Sequence, residues 1–122
     1  MARVLLVEDD PNESLLYAEE LRGDGYDVVV ASDGPQAIAL VTSQAPDVVV
    51  MDVSMPGMDG IDAMGRMLAR NNKLPIILNT AYASYKDDFR AWSADAYVVK
   101  SSDLNELKQT IRRVLHARRP AS

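Results

Sequence analysis

Residues 48–60 read VVVMDVSMPGMDG. Val48, Val49, Val50 and Met51 form an apolar run with no polar alternation, unlike a strand that shows one face to water. Such a run predicts a strand covered on both faces, as in a parallel sheet packed by helices. It ends on the carboxylate of Asp52, and a Pro-Gly turn follows at 56–57. A lone aspartate there could simply cap a turn, so the rest of the chain has to say whether it does more.

Similar apolar runs occur at 4–7 (VLLV), 28–31 (VVVA), 76–78 (IIL) and 97–99 (YVV). Helical spacing fills the gaps. The first helix is predicted over 11–22, with Pro11 at its start, Leu15, Leu16 and Leu21 on its repeating face, and Gly23 and Gly25 as stop signals. A second opens at Pro35 and runs to 44 with Ala37, Ile38 and Val41. A third, about 59–70, carries Ile61, Met64, Met67 and Leu68. A fourth, about 84–93, carries Tyr85, Phe89 and Trp92 on one face, which reads as core-facing. The fifth, 103–117, begins with Asp103 and Glu106 three residues apart, a capping-box spacing. Strand and helix alternate five times with short connections, which predicts a three-layer α/β domain built on a parallel sheet. Five of the six methionines lie between 51 and 67, and the spacing of Met64 and Met67 predicts core filling.

In open parallel sheets ligands sit beyond the carboxyl ends of the strands. The first strand runs into Glu8, Asp9 and Asp10, the third into Asp52, the fourth into Asn79-Thr80 and the fifth into Lys100. Carboxylates, a hydroxyl and an ammonium are thus gathered at one edge. Two carboxylates about 4 Å apart repel by roughly 4 kcal/mol at an effective dielectric near 20, so the group needs a cation or raised pKa values. Hard oxygens in this number suit Mg²⁺. An aspartate can accept a phosphoryl group covalently, and a cation with Lys100 would offset the charge on that group. Helix capping by the acids, with Lys100 paired to one of them, explains one or two of these residues but not the agreement of four strand ends.

Composition narrows the functions. The chain has 122 residues, enough for one core, and a net charge of -5, which argues against direct nucleic-acid binding by this domain. The absence of cysteine excludes disulfides and thiolate metal sites. MARVLLVEDD at the start has no long apolar segment, so neither a signal peptide nor a membrane span is expected, and the predicted location is cytoplasmic. The basic cluster RRVLHARR at 112–119 reads as the cationic end of a last helix, with His116 a solvated member of it.

VLLVEDD, VVVMDVSMPGMDG, NTA and AYVVK, in that order and spacing, resemble the response-regulator receiver domains of two-component signalling, and the likeness covers essentially the whole chain. It implies a flavodoxin-like, doubly wound five-stranded parallel sheet in the order 2-1-3-4-5 with five helices. The domain would span 1–118, with 119–122 a tail or the start of a linker. The implied function is a phosphorylation-dependent switch. Asp52 is the implied phosphoacceptor, and Thr80 and Lys100 contact the phosphoryl group. Asp9 holds Mg²⁺ directly, Glu8 through water, with Asp52 and the Ser54 backbone carbonyl completing the protein's share. Thr80 and Tyr97 are the implied switch residues, altering the surface of the fourth helix, fifth strand and fifth helix. The implied donor is a histidine kinase or phosphotransfer protein, and the domain is a monomer or a phosphorylation-dependent dimer. It is not an enzyme beyond accepting and slowly losing its own phosphoryl group.

Three residues depart from that pattern. Ser101 follows Lys100 where proline is usual, so a trans peptide is expected, which puts the approach of Lys100 to Asp52 in question. Asn79 stands before Thr80 in place of an apolar residue, and its amide must find partners at the end of a buried strand. Ser93 stands where glycine is usual. Other readings of the same sequence fit less well. A hydrolase of the haloacid dehalogenase kind would carry a second aspartate at 54, and a nucleotide-binding loop would not open with EDD. A receiver-like interaction module that is never phosphorylated is the remaining alternative.

Overall fold

The structure, a computed structural model, describes residues 2–52, 60–81, 94–101 and 103–117. Five strands, β1 (Arg3–Val7), β2 (Asp27–Ala31), β3 (Val48–Met51), β4 (Ile76–Thr80) and β5 (Ala96–Val99), form one parallel sheet in the order β2-β1-β3-β4-β5. Four helices are present among the described residues: α1 (Pro11–Gly23), α2 (Gly34–Gln44), α3 (Gly60–Arg70) and α4 (Asn105–Ala117). α4 is the fifth helix of the sequence reading. The expected fourth helix, with Tyr85, Phe89, Trp92 and Ser93, lies outside the described residues.

β3 shows why its sequence does not alternate. Val49 and Met51 join Leu5, Val7, Ile76 and Leu78 in a core layer closed by Ala37, Ile38 and Val41 of α2 and Ala63, Met64 and Met67 of α3. Val48 and Val50 join Val4, Leu6, Val28, Ile77 and Val98 in a second layer, closed by Tyr17, Ala18 and Leu21 of α1 and Leu107, Ile111 and Val114 of α4. Successive side chains point to opposite faces of a strand, and here both faces are dry. Met64 and Met67 fill core space as their spacing predicts.

Local chemistry sets the helix ends. Asp10 Oδ1 accepts from the amides of Asn12 (2.9 Å) and Glu13 (3.3 Å), with Pro11 leading the first turn of α1. Beyond α1, Gly25 adopts φ 95°, a left-handed value that only glycine takes freely. Asp33 caps α2 through the Gln36 amide at 2.8 Å. Asp103 Oδ1 accepts from the Asn105 amide at 2.9 Å at the head of α4.

α1 turns a different stripe inward from the one its leucine spacing predicts. Leu15 and Leu16 are 59% and 50% exposed, and the inward stripe is Tyr17, Ala18 and Leu21. At 100° per residue, Leu15 and Leu16 cannot share a face with both 17 and 21. Once Tyr17 points inward, the two leucines point out. β4 also runs further than its apolar run, because Asn79 and Thr80 pair in register with Val98 and Val99.

Candidate functional site

Strand register builds the site. Val7 of β1 lies opposite Met51 of β3, so the residues after them, Glu8 and Asp52, leave the sheet side by side. Their backbones remain on the ladder: the Asp52 amide donates to Val7 O (3.1 Å) and the Glu8 amide to Ala31 O (3.0 Å). On the far side, the Lys100 amide donates to Thr80 O at 2.7 Å, which fixes the start of the chain beyond β5 against the end of β4. The strand order reverses between β1 and β3, where a ligand crevice belongs in such sheets.

Glu8, Asp9 and Asp52 each bring a carboxylate oxygen to within 4.8 Å of the others. Glu8 and Asp52 are buried, with only 3% and 8% of their surface exposed, and Asp9 is half-buried. Lys100 Nζ donates to Glu8 Oε1 at 2.6 Å and to Asp52 Oδ2 at 2.9 Å, and it also lies 3.1 Å from Glu13 Oε1. The Asp10 amide donates to Glu8 Oε2 at 3.3 Å.

Burial and charge act in opposite directions on this group. Burial pushes the Glu8 carboxyl above its ordinary range, and the Asp52 charge adds to that. Lys100 and the Asp10 amide pull it back only in part. For Lys100, burial alone would lower the ammonium pKa, but its hydrogen bonds to Glu8 and Asp52 and their charges lift it above the usual lysine value. The ammonium therefore stays charged across the physiological range.

A raised carboxyl pKa means that the folded state holds the Glu8 proton more tightly than the unfolded chain does. Stability then falls as pH climbs from the unfolded value through the folded one, and the full penalty is present above it. Glu8→Gln removes that penalty. In chelator-treated protein the melting temperature of Glu8→Gln, relative to wild type, should therefore rise between pH 4 and pH 7. A relative melting temperature that falls over this range would mean that pairing with Lys100 outweighs burial.

The sequence-predicted residues come together with two qualifications. Glu8, Asp9, Asp52 and Lys100 meet directly, and Thr80 is fully buried and bound to Lys100 through its backbone. Tyr97 is half-buried against the α2–α3 layer, and Ser54 lies outside the described residues. The Lys100–Ser101 peptide is trans as expected, and the Lys100 side chain reaches Asp52 at 2.9 Å all the same. The flexible four-carbon stem of lysine lets the ammonium reach Asp52 from a trans peptide.

Two further residues join the site from α1. Glu13 reaches Lys100, and Tyr17 is hydrogen-bonded to the side chain of Asn79. That bond answers where the Asn79 amide finds a partner. Burial nonetheless raises the Tyr17 hydroxyl pKa. Glu13, Tyr17 and Leu21 are spaced by four, a signal that all three face the sheet.

The family model for the response regulator receiver domain matches residues 4–112. The chain belongs to this family. Among its relatives, the probable transcriptional regulatory protein TcrX of Mycobacterium tuberculosis is 36% identical over 114 residues, which are 92% of this chain and 49% of TcrX. Sporulation initiation phosphotransferase F of Bacillus subtilis is 30% identical over 115 residues, covering 93% of each protein. The response regulator TrrA of Thermotoga maritima, solved in complex with Mg²⁺-BeF, superposes with a TM-score of 0.90 at 38% identity, covering 93% of this chain and 99% of TrrA. TrrA has also been solved with the histidine kinase ThkA, where the TM-score is 0.89 at 39% identity, with 94% and 99% covered. The receiver spans about half or less of the first curated relatives it matches.

Proposed function

We propose that this receiver is a phosphorylation-dependent signalling switch in which Asp52 accepts a phosphoryl group from a histidine kinase or phosphotransfer protein. The observation that carries the reading is the joining of three strand ends. Glu8, Asp9 and Asp52 converge within 4.8 Å, with Lys100 bridging Glu8 and Asp52. The kinase complex and the Mg²⁺-BeF complex of TrrA support it by likeness.

The three carboxylates fit a hard divalent cation, which takes carboxylate and carbonyl oxygens and retains water. Asp9, Asp52 and the Ser54 carbonyl would hold Mg²⁺ directly and Glu8 through water. When bound, the ion supplies positive charge against the oxygens of the transferring group. Asp52 attacks the donor phosphorus through a carboxylate oxygen. A P–O bond forms, the donor's P–N bond breaks, and the electron pair leaves with the imidazole. Lys100 and the Thr80 hydroxyl donate to the phosphoryl oxygens, which favours the arrangement of Thr80 and Tyr97 that makes those bonds. Water later attacks the phosphorus, the acyl P–O bond breaks, and inorganic phosphate leaves. Slow self-dephosphorylation of this kind is the only hydrolysis we assign. The output surface we assign is the expected fourth helix with β5 and α4, and its partner is a downstream protein or attached effector in the cytoplasm.

Incubation with acetyl phosphate and Mg²⁺ tests the reading. Intact-mass spectra should show one added phosphoryl group, absent with excess chelator and removed by hydroxylamine, which attacks acyl phosphates. A wild-type protein that gains nothing under these conditions is an unphosphorylated interaction module.

A further inference from the structure

We propose that Glu13 is a positioning residue that takes charge of Lys100 when a divalent cation claims Glu8 and Asp52. The inference rests on the reading of Glu8, Asp9 and Asp52 as the cation-holding group. Lys100 and a cation compete for the same oxygens, since Lys100 Nζ lies 2.6 Å from Glu8 Oε1 and 2.9 Å from Asp52 Oδ2. The Lys100 side chain is only 13% exposed, so its ammonium cannot readily retreat into water when those oxygens are withdrawn. A third carboxylate, Glu13 Oε1, stands 3.1 Å away on the α1 side and is not a member of the three-carboxylate cluster.

Glu13 is suited to follow the ammonium. It sits in the first turn of α1, just after the Asp10 cap, so its backbone is fixed while its side chain is 38% exposed and free to adjust. An ammonium has three donors, and it can shift its weight from Glu8 and Asp52 towards Glu13 without leaving the crevice. The cation then meets carboxylates already released. Without Glu13 the ammonium has, among the described residues, only the metal's own ligands to hold, and it resists their loss.

Mg²⁺ titrations followed by backbone amide chemical shifts test this without any phosphoryl transfer. Glu13→Gln, which keeps the shape and removes the charge, should weaken Mg²⁺ binding about fivefold. In a Lys100→Met background, which has no competing ammonium, the same change should alter the affinity less than twofold. Equal affinity in wild type and Glu13→Gln overturns the proposal. So does an equal loss in both backgrounds, which would be the through-space effect of one charge. If Lys100→Met is unfolded in its amide spectrum, the Glu13→Gln loss is measured again in 0.5 M KCl. Long-range attraction is screened at that strength, so a retained loss supports the contact and a vanished one overturns it. A wild-type protein that binds Mg²⁺ with this coupling but takes no phosphoryl group would sink the phosphoacceptor reading alone.

Discussion

Asp52→Asn should take up no phosphoryl group, either from acetyl phosphate or from a phosphorylated donor protein. The substituted amide matches the carboxylate in size. Its oxygen can still accept from Lys100, as Asp52 Oδ2 does at 2.9 Å. The backbone is held independently by the bond from the residue 52 amide to Val7 O at 3.1 Å. The fold should therefore persist while the nucleophile is lost, because a neutral amide neither attacks phosphorus nor carries the charge that holds a cation. The check is the intact mass of wild type and variant under the same Mg²⁺ and donor concentrations, with a circular dichroism melt to confirm folding. An undiminished adduct in the variant would move the acceptor to Glu8 or Asp9, whose oxygens lie in the same 4.8 Å cluster.

Lys100→Met should lower the stability of the metal-free protein by about 3 kcal/mol, since removing one partner from a buried charge group leaves the others uncompensated. The methionine fills the volume of the lysine stem, so the loss reports the missing ammonium rather than a cavity. Glu8, Asp52 and Glu13 would then face one another without a cation within reach of all three, where wild type has Nζ at 2.6, 2.9 and 3.1 Å. Burial already raises the Glu8 carboxyl pKa, so protonation should relieve the strain and the deficit should be smaller at pH 5 than at pH 8. Millimolar Mg²⁺ should raise the variant's stability by more than it raises that of wild type, because the ion no longer displaces a bound ammonium. Urea melts at both pH values, with and without Mg²⁺, measure all of this. A variant as stable as wild type at pH 8 without metal would show that the carboxylates reach water well enough to need no partner.

Much of this could be read in the sequence. The unbroken apolar runs of β1 and β3 report burial on two faces, and parallel topology follows because helices must cover both. Glu8, Asp52, Thr80 and Lys100 were visible because each stands at a strand's carboxyl end, and strand ends in a parallel sheet are neighbours by construction. Residues on helices were harder. Leu15 and Leu16 look like core from hydrophobicity alone, yet the stripe is set by Tyr17 and Leu21, which bury more area against the sheet. Glu13 was missed for a related reason: an acid in a first helical turn has a ready local explanation in the helix dipole. Its contact with Lys100, 87 residues later by subtraction of the two positions, depends on how α1 lies on the sheet. Asn79 signalled a need for a partner but did not name one, since Tyr17 reaches it only through tertiary packing.

The final rungs of the sheet ladder also hold the proposed site, with the amides of Glu8, Asp52 and Lys100 bonded to Ala31, Val7 and Thr80. The backbones of these three residues are therefore held by the sheet, and their side chains take their starting positions from it. A substitution deep in either core layer, at Met67 or Ile77 for example, would reduce the number of intact molecules while the site backbones of each intact molecule stay on the ladder. Dose and potency are thus separable in this domain. Raising the concentration of such a variant would restore the amount of intact receiver.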